Sequence, residues 1–248
     1  MKTFIGINVL TSIESIVYSN HIQFFYRLGK HYPNDTFAIN TPRRMGIDRM
    51  RNQTAKFALE NDYDYVMFID DDVIIPINAL EALYKADKDI VAGWTIIRGY
   101  PFDNMSFKYN PEDKAKLEVV KKMERHSGLI DVDAVGFSCV LIKTSLLKNT
   151  PQPWFVTGPY NTEDVYFCVK ARKYNPDCTI AVDTSVETAH LLGPEIIAPW
   201  NKEDYKLYSE KQEPILLKTA EELKKAVALL GDSGDRGEAY LEMVKAHE

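Results

Sequence analysis

The chain has 248 residues, of which 45% are hydrophobic, and a formal net charge of −6 at pH 7. That is enough apolar content for one large α/β domain with a buried core, and it excludes a disordered chain. The acidic balance argues against a general nucleic-acid binder, which would carry a basic surface.

The elements follow in chain order. MKTFIGINVL carries an apolar stretch interrupted by Asn8, with no small-residue cleavage site behind it, so Thr3 to Leu10 reads as a first strand rather than a leader. Ile13, Ile16, Val17, His21, Phe24, Phe25 and Leu28 then recur at helical spacing until Gly29 and Pro33. Asp35 to Asn40 reads as a second strand, and a basic turn, TPRRMGIDRMRN, runs into a helix ending near Asn61. Tyr65 to Ile69 is the short continuous apolar run of a strand buried on both faces. Asn78 with Glu81 forms a capping-box pattern ahead of Leu80, Leu83 and Tyr84, and Asp89 to Trp94 reads as the next strand. This alternation predicts a mostly parallel sheet with right-handed crossovers over the first hundred residues.

From Gly99 to Arg125 the chain is polar and weakly periodic, with Pro101 and Pro111, and reads as a loop or insertion. Leu129 to Val132, Val135 to Ile142 and Thr179 to Val182 read as strands, and Asp164 to Lys173 as a helix, so the second half is mixed rather than strictly βαβ. Beyond Pro199 a capping box at Thr219 and Glu222, a break at Gly231 to Gly237 and a last helix over Glu238 to Ala246 predict a helical hairpin. It could pack on the domain, cover the site or pair subunits. Cys139, Cys168 and Cys178 are odd in number and lack C-x-x-C spacing, so neither a disulfide framework nor a zinc site is expected and a reducing cytoplasm is the natural setting. No run approaches the length of a membrane span.

The segment with the most chemistry is DYDYVMFIDDDVIIP, which places Asp70, Asp71 and Asp72 at the carboxyl end of a central strand. Open α/β sheets bind ligands there. In extended chain Asp70 and Asp72 share a face and can meet one hard cation, Mg²⁺ or Mn²⁺, while Asp71 points elsewhere. A solvated strand exit would use the same residues.

Four further segments join the triplet: Arg51-Asn52 in the helix before it, VAGW at Val91 to Trp94, VGFSCVLIK at Val135 to Lys143, and TEDVYFCVKARK at Thr162 to Lys173, with His190 after them. Together they resemble a glycosyltransferase of the GT-A fold, most similar to the family 2 type, over Thr3 to Leu192. The resemblance implies a Rossmann-like, mostly parallel sheet flanked by helices. Its catalytic domain would span 1–198, with a nucleotide-sugar half at 1–100 and an acceptor half at 101–198, followed by a helical extension at 199–248.

It also implies roles. Asp70 and Asp72 would hold Mn²⁺ or Mg²⁺ against the diphosphate of a nucleotide sugar, with Asp71 toward the ribose and His190 as a third metal ligand. Asp164, beside Glu163, would be the general base, although acidic residues in a first helical turn also serve the helix dipole. Arg43, Arg44, Arg49 and Arg51 form a basic turn that either faces solvent or includes a diphosphate or acceptor contact, for which Arg51 is the preferred residue. Thr11 would face the base or ribose, or cap the following helix. Trp94 and Trp154 would stack on a sugar or pack in the core, and Gly136 would allow close approach beneath the acceptor.

No Q-x-x-R-W signature of the processive synthases is present. That absence favours a single transfer. The resemblance implies a metal-dependent enzyme that moves the sugar from a UDP-sugar by preference to a hydroxyl acceptor, with inversion if the TED segment places the base on the acceptor side. The sequence leaves the acceptor class open among a saccharide, a lipid-linked sugar, a protein, a small metabolite and a modified nucleobase. The rivals are a sugar-phosphate nucleotidyltransferase, disfavoured by the lack of a Gly-rich basic loop after Leu10, and a non-catalytic nucleotide- or sugar-binding module of the same fold.

Overall fold

The computed structural model describes residues 1–113, 116–158, 162–192 and 195–206. Contacts divide the chain into a unit of Met1–Lys202 and a second of Glu203–Glu248. The expected hairpin after residue 206, with its capping box at Thr219 and Glu222, lies outside the described residues.

The chain-order elements are β1 (Lys2–Asn8), α1 (Ser15–His31), β2 (Thr36–Asn40), α2 (Ile47–Glu60), β3 (Tyr65–Asp70), β4 (Val73–Ile74) and α3 (Ala79–Lys85). They continue with β5 (Ile90–Trp94), β6 (Ser106–Tyr109), β7 (Leu117–Val119), β8 (Leu129–Asp131), β9 (Ala134–Val135), β10 (Cys139–Lys143) and α4 (Thr144–Lys148). The last are α5 (Glu163–Tyr174), β11 (Ile180–Glu187), β12 (Ala189–Leu192) and β13 (Glu195–Ile197).

A seven-stranded sheet has the order β2-β1-β3-β10-β5-β11-β8. Strands β2, β1, β3, β5 and β11 run one way, and β10 and β8 run against their neighbours. The molecule is thus a mixed α/β, Rossmann-like fold with a mostly parallel sheet.

Strand β3 is buried from Val66 to Ile69 because it lies between β1 and β10. Met67 and Ile69 join Ile5, Ile7, Phe24, Leu28, Leu80 and Leu83 in one core. On the other face Phe68 packs with Phe137 and Phe155, which in turn meet Phe167 of α5. Each such fully buried aromatic contributes on the order of 1.5–3 kcal/mol, so the layer that carries α2 and α5 is firmly seated.

Three expectations change. The run Val135 to Ile142 is not one strand: β9 pairs with β6 in a small sheet, and after Gly136 the chain crosses into the main sheet as β10. Both halves are apolar, so hydrophobicity alone does not show the switch. The polar stretch 99–125 is more than a loop, since β6 pairs with β7 as well as β9. Asn78 makes no side-chain cap to α3, and Glu81 instead meets Lys85 and Arg27.

Candidate metal and transfer site

The carboxylates of Asp70 and Asp72 and the imidazole of His190 offer ligand atoms that all lie within 4.8 Å of one another. The local path differs from the extended one expected: Asp70 ends β3, and Asp71 and Asp72 form a turn into β4. That turn still brings the first and third carboxylates together.

His190 arrives through pairing. Strand β12 runs antiparallel to β4, with His190 opposite Val73, and Leu191 N–H donates to the Asp72 carbonyl at 2.9 Å. His190 Nε2 stands 4.0 Å from Asp72 Oδ1. Its Nδ1–H donates to Ile96 O at 2.7 Å, which turns the Nε2 lone pair toward the carboxylates. The Ser138 hydroxyl lies 3.3 Å from the same Nε2, and Ser138 O accepts from Asp70 N–H at 3.0 Å.

Helix α1 braces the segment behind the triplet. Asn20 Nδ2 donates to Ile75 O at 2.8 Å and Asn20 Oδ1 accepts from Ile75 N–H at 2.9 Å. The buried His21 donates from Nε2 to Val73 O at 3.0 Å, and burial lowers its pKa.

Two carboxylate oxygens and one oriented imidazole suit Mn²⁺ well and Mg²⁺ acceptably. The three ligand atoms lie within 4.8 Å of one another, near enough for side-chain adjustment to bring them onto one ion at about 2.1 Å. Asp71 faces another way: its Oδ2 accepts from Leu10 N–H at 2.9 Å, in the exposed turn that carries Thr11. Burial raises the Asp71 pKa, the adjacent Asp72 and Asp70 add to it, and the Leu10 N–H opposes it.

Arg51 is placed differently from expectation. Its side chain is buried, with Nη2 3.0 Å from Asp70 Oδ1 and Nη1 2.8 Å from Glu163 Oε1, the latter an ion pair rather than an aligned hydrogen bond. The guanidinium also lies over the rings of Phe137 and Phe68, at 5.3 and 5.6 Å. Burial works against its charge, and Asp70, Glu163 and Asp164 together outweigh that penalty. A guanidinium so enclosed orients Asp70 and has no face for a diphosphate. Arg43, Arg44 and Arg49 are exposed.

Glu163 is likewise turned to Arg51 rather than outward. Burial raises its pKa, Arg51 opposes, and Asp164 and Asp70 add to the rise. Asp164 is buried in the first turn of α5, where Oδ1 accepts from the Thr162 hydroxyl and from Val165 N–H. Asn52 clamps the approach to α5: Oδ1 accepts from Trp154 N–H and Phe155 N–H, and Nδ2 donates to Phe155 O and Asp48 O. Helix α2 therefore links the strand that ends in Asp70 to the helix that begins with Glu163 and Asp164.

Two more expectations are corrected. Trp94 is fully buried with Nε1 donating to Asn104 Oδ1 at 2.8 Å, and Trp154 is buried with Nε1 on Leu147 O and Thr150 O, so neither ring is open for stacking. A Cβ at Gly136 would lie 2.3 Å from Met105 Cε and 2.9 Å from Met105 Cβ, so this glycine admits the neighbouring Met105 segment rather than an acceptor.

Sequence reasoning missed Arg98, whose Nη1 lies 2.5 Å from Asp72 Oδ2. A basic residue just past the carboxyl end of β5 was the available signal. It also missed Ser138, which has no signal of its own. The three cysteines are buried and free, with burial pushing Cys139 and Cys178 up to about 12 and Cys168 higher still, so they are inert packing groups. Among the described residues no helix is long and apolar enough to cross a membrane.

No family model and no curated protein matches the chain. Among solved structures it is similar to A197 from STIV, at 21% identity and a TM-score of 0.53, with 80% of this chain and 94% of that chain covered. It also aligns with HddC from Yersinia pseudotuberculosis at 11% identity and a TM-score of 0.38, covering 85% and 98% of the two chains. A UDP-glucose pyrophosphorylase aligns at 6% identity and a TM-score of 0.42, covering 76% of each. The likeness to A197 is one of fold, and it agrees with the α/β architecture described above.

Proposed function

We propose that the protein is a metal-dependent, inverting glycosyltransferase of the GT-A type that moves one sugar from a nucleoside-diphosphate sugar, UDP-linked by preference, to a hydroxyl acceptor. The observation that carries this reading is the convergence of Asp70, Asp72 and His190 at the carboxyl end of β3, joined through Arg51 to Glu163 beside Asp164.

Asp70, Asp72 and His190 would hold Mn²⁺ or Mg²⁺, which when bound supplies Lewis-acid stabilisation of the departing diphosphate. Arg51 fixes the Asp70 carboxylate. Asp164 takes the acceptor proton on Oδ2, the oxygen opposite the one held by Thr162 and Val165 N–H. The acceptor oxygen bonds to the anomeric carbon as the bond to the diphosphate oxygen breaks, and the diphosphate leaves with that electron pair. Asp71 secures the Leu10–Thr11 turn, the expected place for the base or ribose.

The test is calorimetry with Mn²⁺ and UDP, followed by a donor and acceptor array read by mass spectrometry. Asp72→Asn should lose most Mn²⁺ binding. Asp164→Asn should keep metal and UDP binding and lose transfer by about 10²–10⁴-fold. Full transfer by either variant at saturating Mn²⁺ would refute the reading, and UDP binding without any turnover would favour a binding module.

A further inference from the structure

We infer that Arg98 is the cation that grips the diphosphate, and that in the metal-free protein it guards the same carboxylate the metal uses. The inference rests on the metal-site reading above. Its basis is the two-sided environment of Asp72: Oδ1 faces the buried His190, and Oδ2 faces Arg98, whose side chain is 55% exposed. Asp72 Oδ2 is thus paired with a guanidinium that solvent, and a ligand arriving from it, can also reach.

The backbone holds Arg98 at this place. Ile96 and Asn104 form a bridge, Ile97 N–H donates to Asp103 O at 2.9 Å, and Phe102 N–H donates to Gly99 O at 2.7 Å. Arg98 thus sits in the loop of a hairpin, two residues beyond the Ile96 carbonyl that orients His190. One short hairpin sets both the third candidate metal ligand and the exposed guanidinium.

Charge gives the second argument. Asp70 and Asp72 carry two negative charges, which a divalent cation only cancels, so a diphosphate needs a further cation. Arg51 is buried and already shared between Asp70 and Glu163. Arg98 has five N–H donors, and the contact with Asp72 engages one nitrogen, leaving others for bidentate capture of phosphate oxygens. In the free protein its charge on Asp72 competes with metal. Once metal and diphosphate are bound, the same charge is attractive to the ligand.

Calorimetry on the full chain, wild type against Arg98→Gln and Arg98→Lys, tests this with Mn²⁺ alone and then, at saturating Mn²⁺, with UDP and GDP and their monophosphates as controls. Arg98→Gln should bind Mn²⁺ alone about three- to tenfold more tightly, because the competing cation is gone. It should bind the diphosphate about ten- to a hundredfold more weakly, with a smaller loss for the monophosphate. Arg98→Lys should recover part of the loss, since an ammonium supplies charge without the fork. Unchanged diphosphate affinity in Arg98→Gln, or equal loss of mono- and diphosphate, would overturn the inference while leaving the metal site standing. Failure of the wild type to take up Mn²⁺ would overturn the metal reading and this inference with it.

Discussion

Two arginine–aspartate pairs stand at the same end of the sheet and differ in almost everything but their chemistry. Arg51 meets Asp70 with its side chain 3% exposed, whereas Arg98 meets Asp72 with its side chain 55% exposed. A buried guanidinium is costly to leave unpaired, so the first contact is permanent and fixes geometry. A solvated pair is worth about 0–1 kcal/mol, so the second can exchange its partner. The difference separates a group locked into the scaffold of the candidate site from one that can change partners at its surface.

The largest effect should come from breaking the buried pair. Arg51→Met leaves Asp70 and Glu163 facing each other without the charge that both now share, and should cost about 3–5 kcal/mol of stability. Arg98→Gln should change stability by no more than about 0.5 kcal/mol. Urea unfolding of both variants checks the contrast, and similar losses in the two would dissolve it. Adding Glu163→Gln to Arg51→Met should recover part of the stability, because burial and the neighbouring carboxylates already favour the protonated form of Glu163.

A middle effect should come from the clamp on the far side of α2. Asn52 satisfies the backbone of Trp154 and Phe155 with both ends of its amide. Asn52→Ala leaves these buried groups unpaired and should cost about 1–3 kcal/mol. If α2 positions α5, the variant should also lower transfer while leaving Mn²⁺ affinity intact. Lost Mn²⁺ affinity would instead mean that the two sides of the site are not separable.

What the sequence makes legible follows the same division. The acidic triplet, the first turn of α5 and the long elements β1, α1, α2, β3, β5 and α5 announce themselves by apolar periodicity ending in polar residues. The environment of Arg51 does not, because the guanidinium lies against the neighbouring rings of Phe68 and Phe137, one near and one distant in sequence. The sheet switch between β9 and β10, and the strands β6 and β7, are too short to carry a period of their own and take their identity from partners. Trp94, Trp154 and Gly136 show the same limit: residue type suggested a ligand, and packing assigned them to the scaffold.

A pH-dependent effect should appear at His21, which supports β4 and so the exposed side of the comparison. As a neutral ring it donates from Nε2 to Val73 O, while Nδ1 is buried without a partner among the described residues. Protonation would put a second N–H, and a charge, into that enclosure, and for this reason burial lowers the His21 pKa from its ordinary 6.5. The unfolded chain, with an ordinary pKa, then binds more protons than the folded one as pH falls below 6.5. This group's contribution is therefore full above pH 6.5 and is lost as pH falls from there toward the folded-state pKa, by no more than about 1.4 kcal/mol per pH unit. Urea midpoints followed from pH 8 to pH 5 should decline in that window for the wild type, and the decline should be shallower in His21→Gln, which keeps an N–H donor and cannot titrate. Equal slopes would assign the acid loss to other groups.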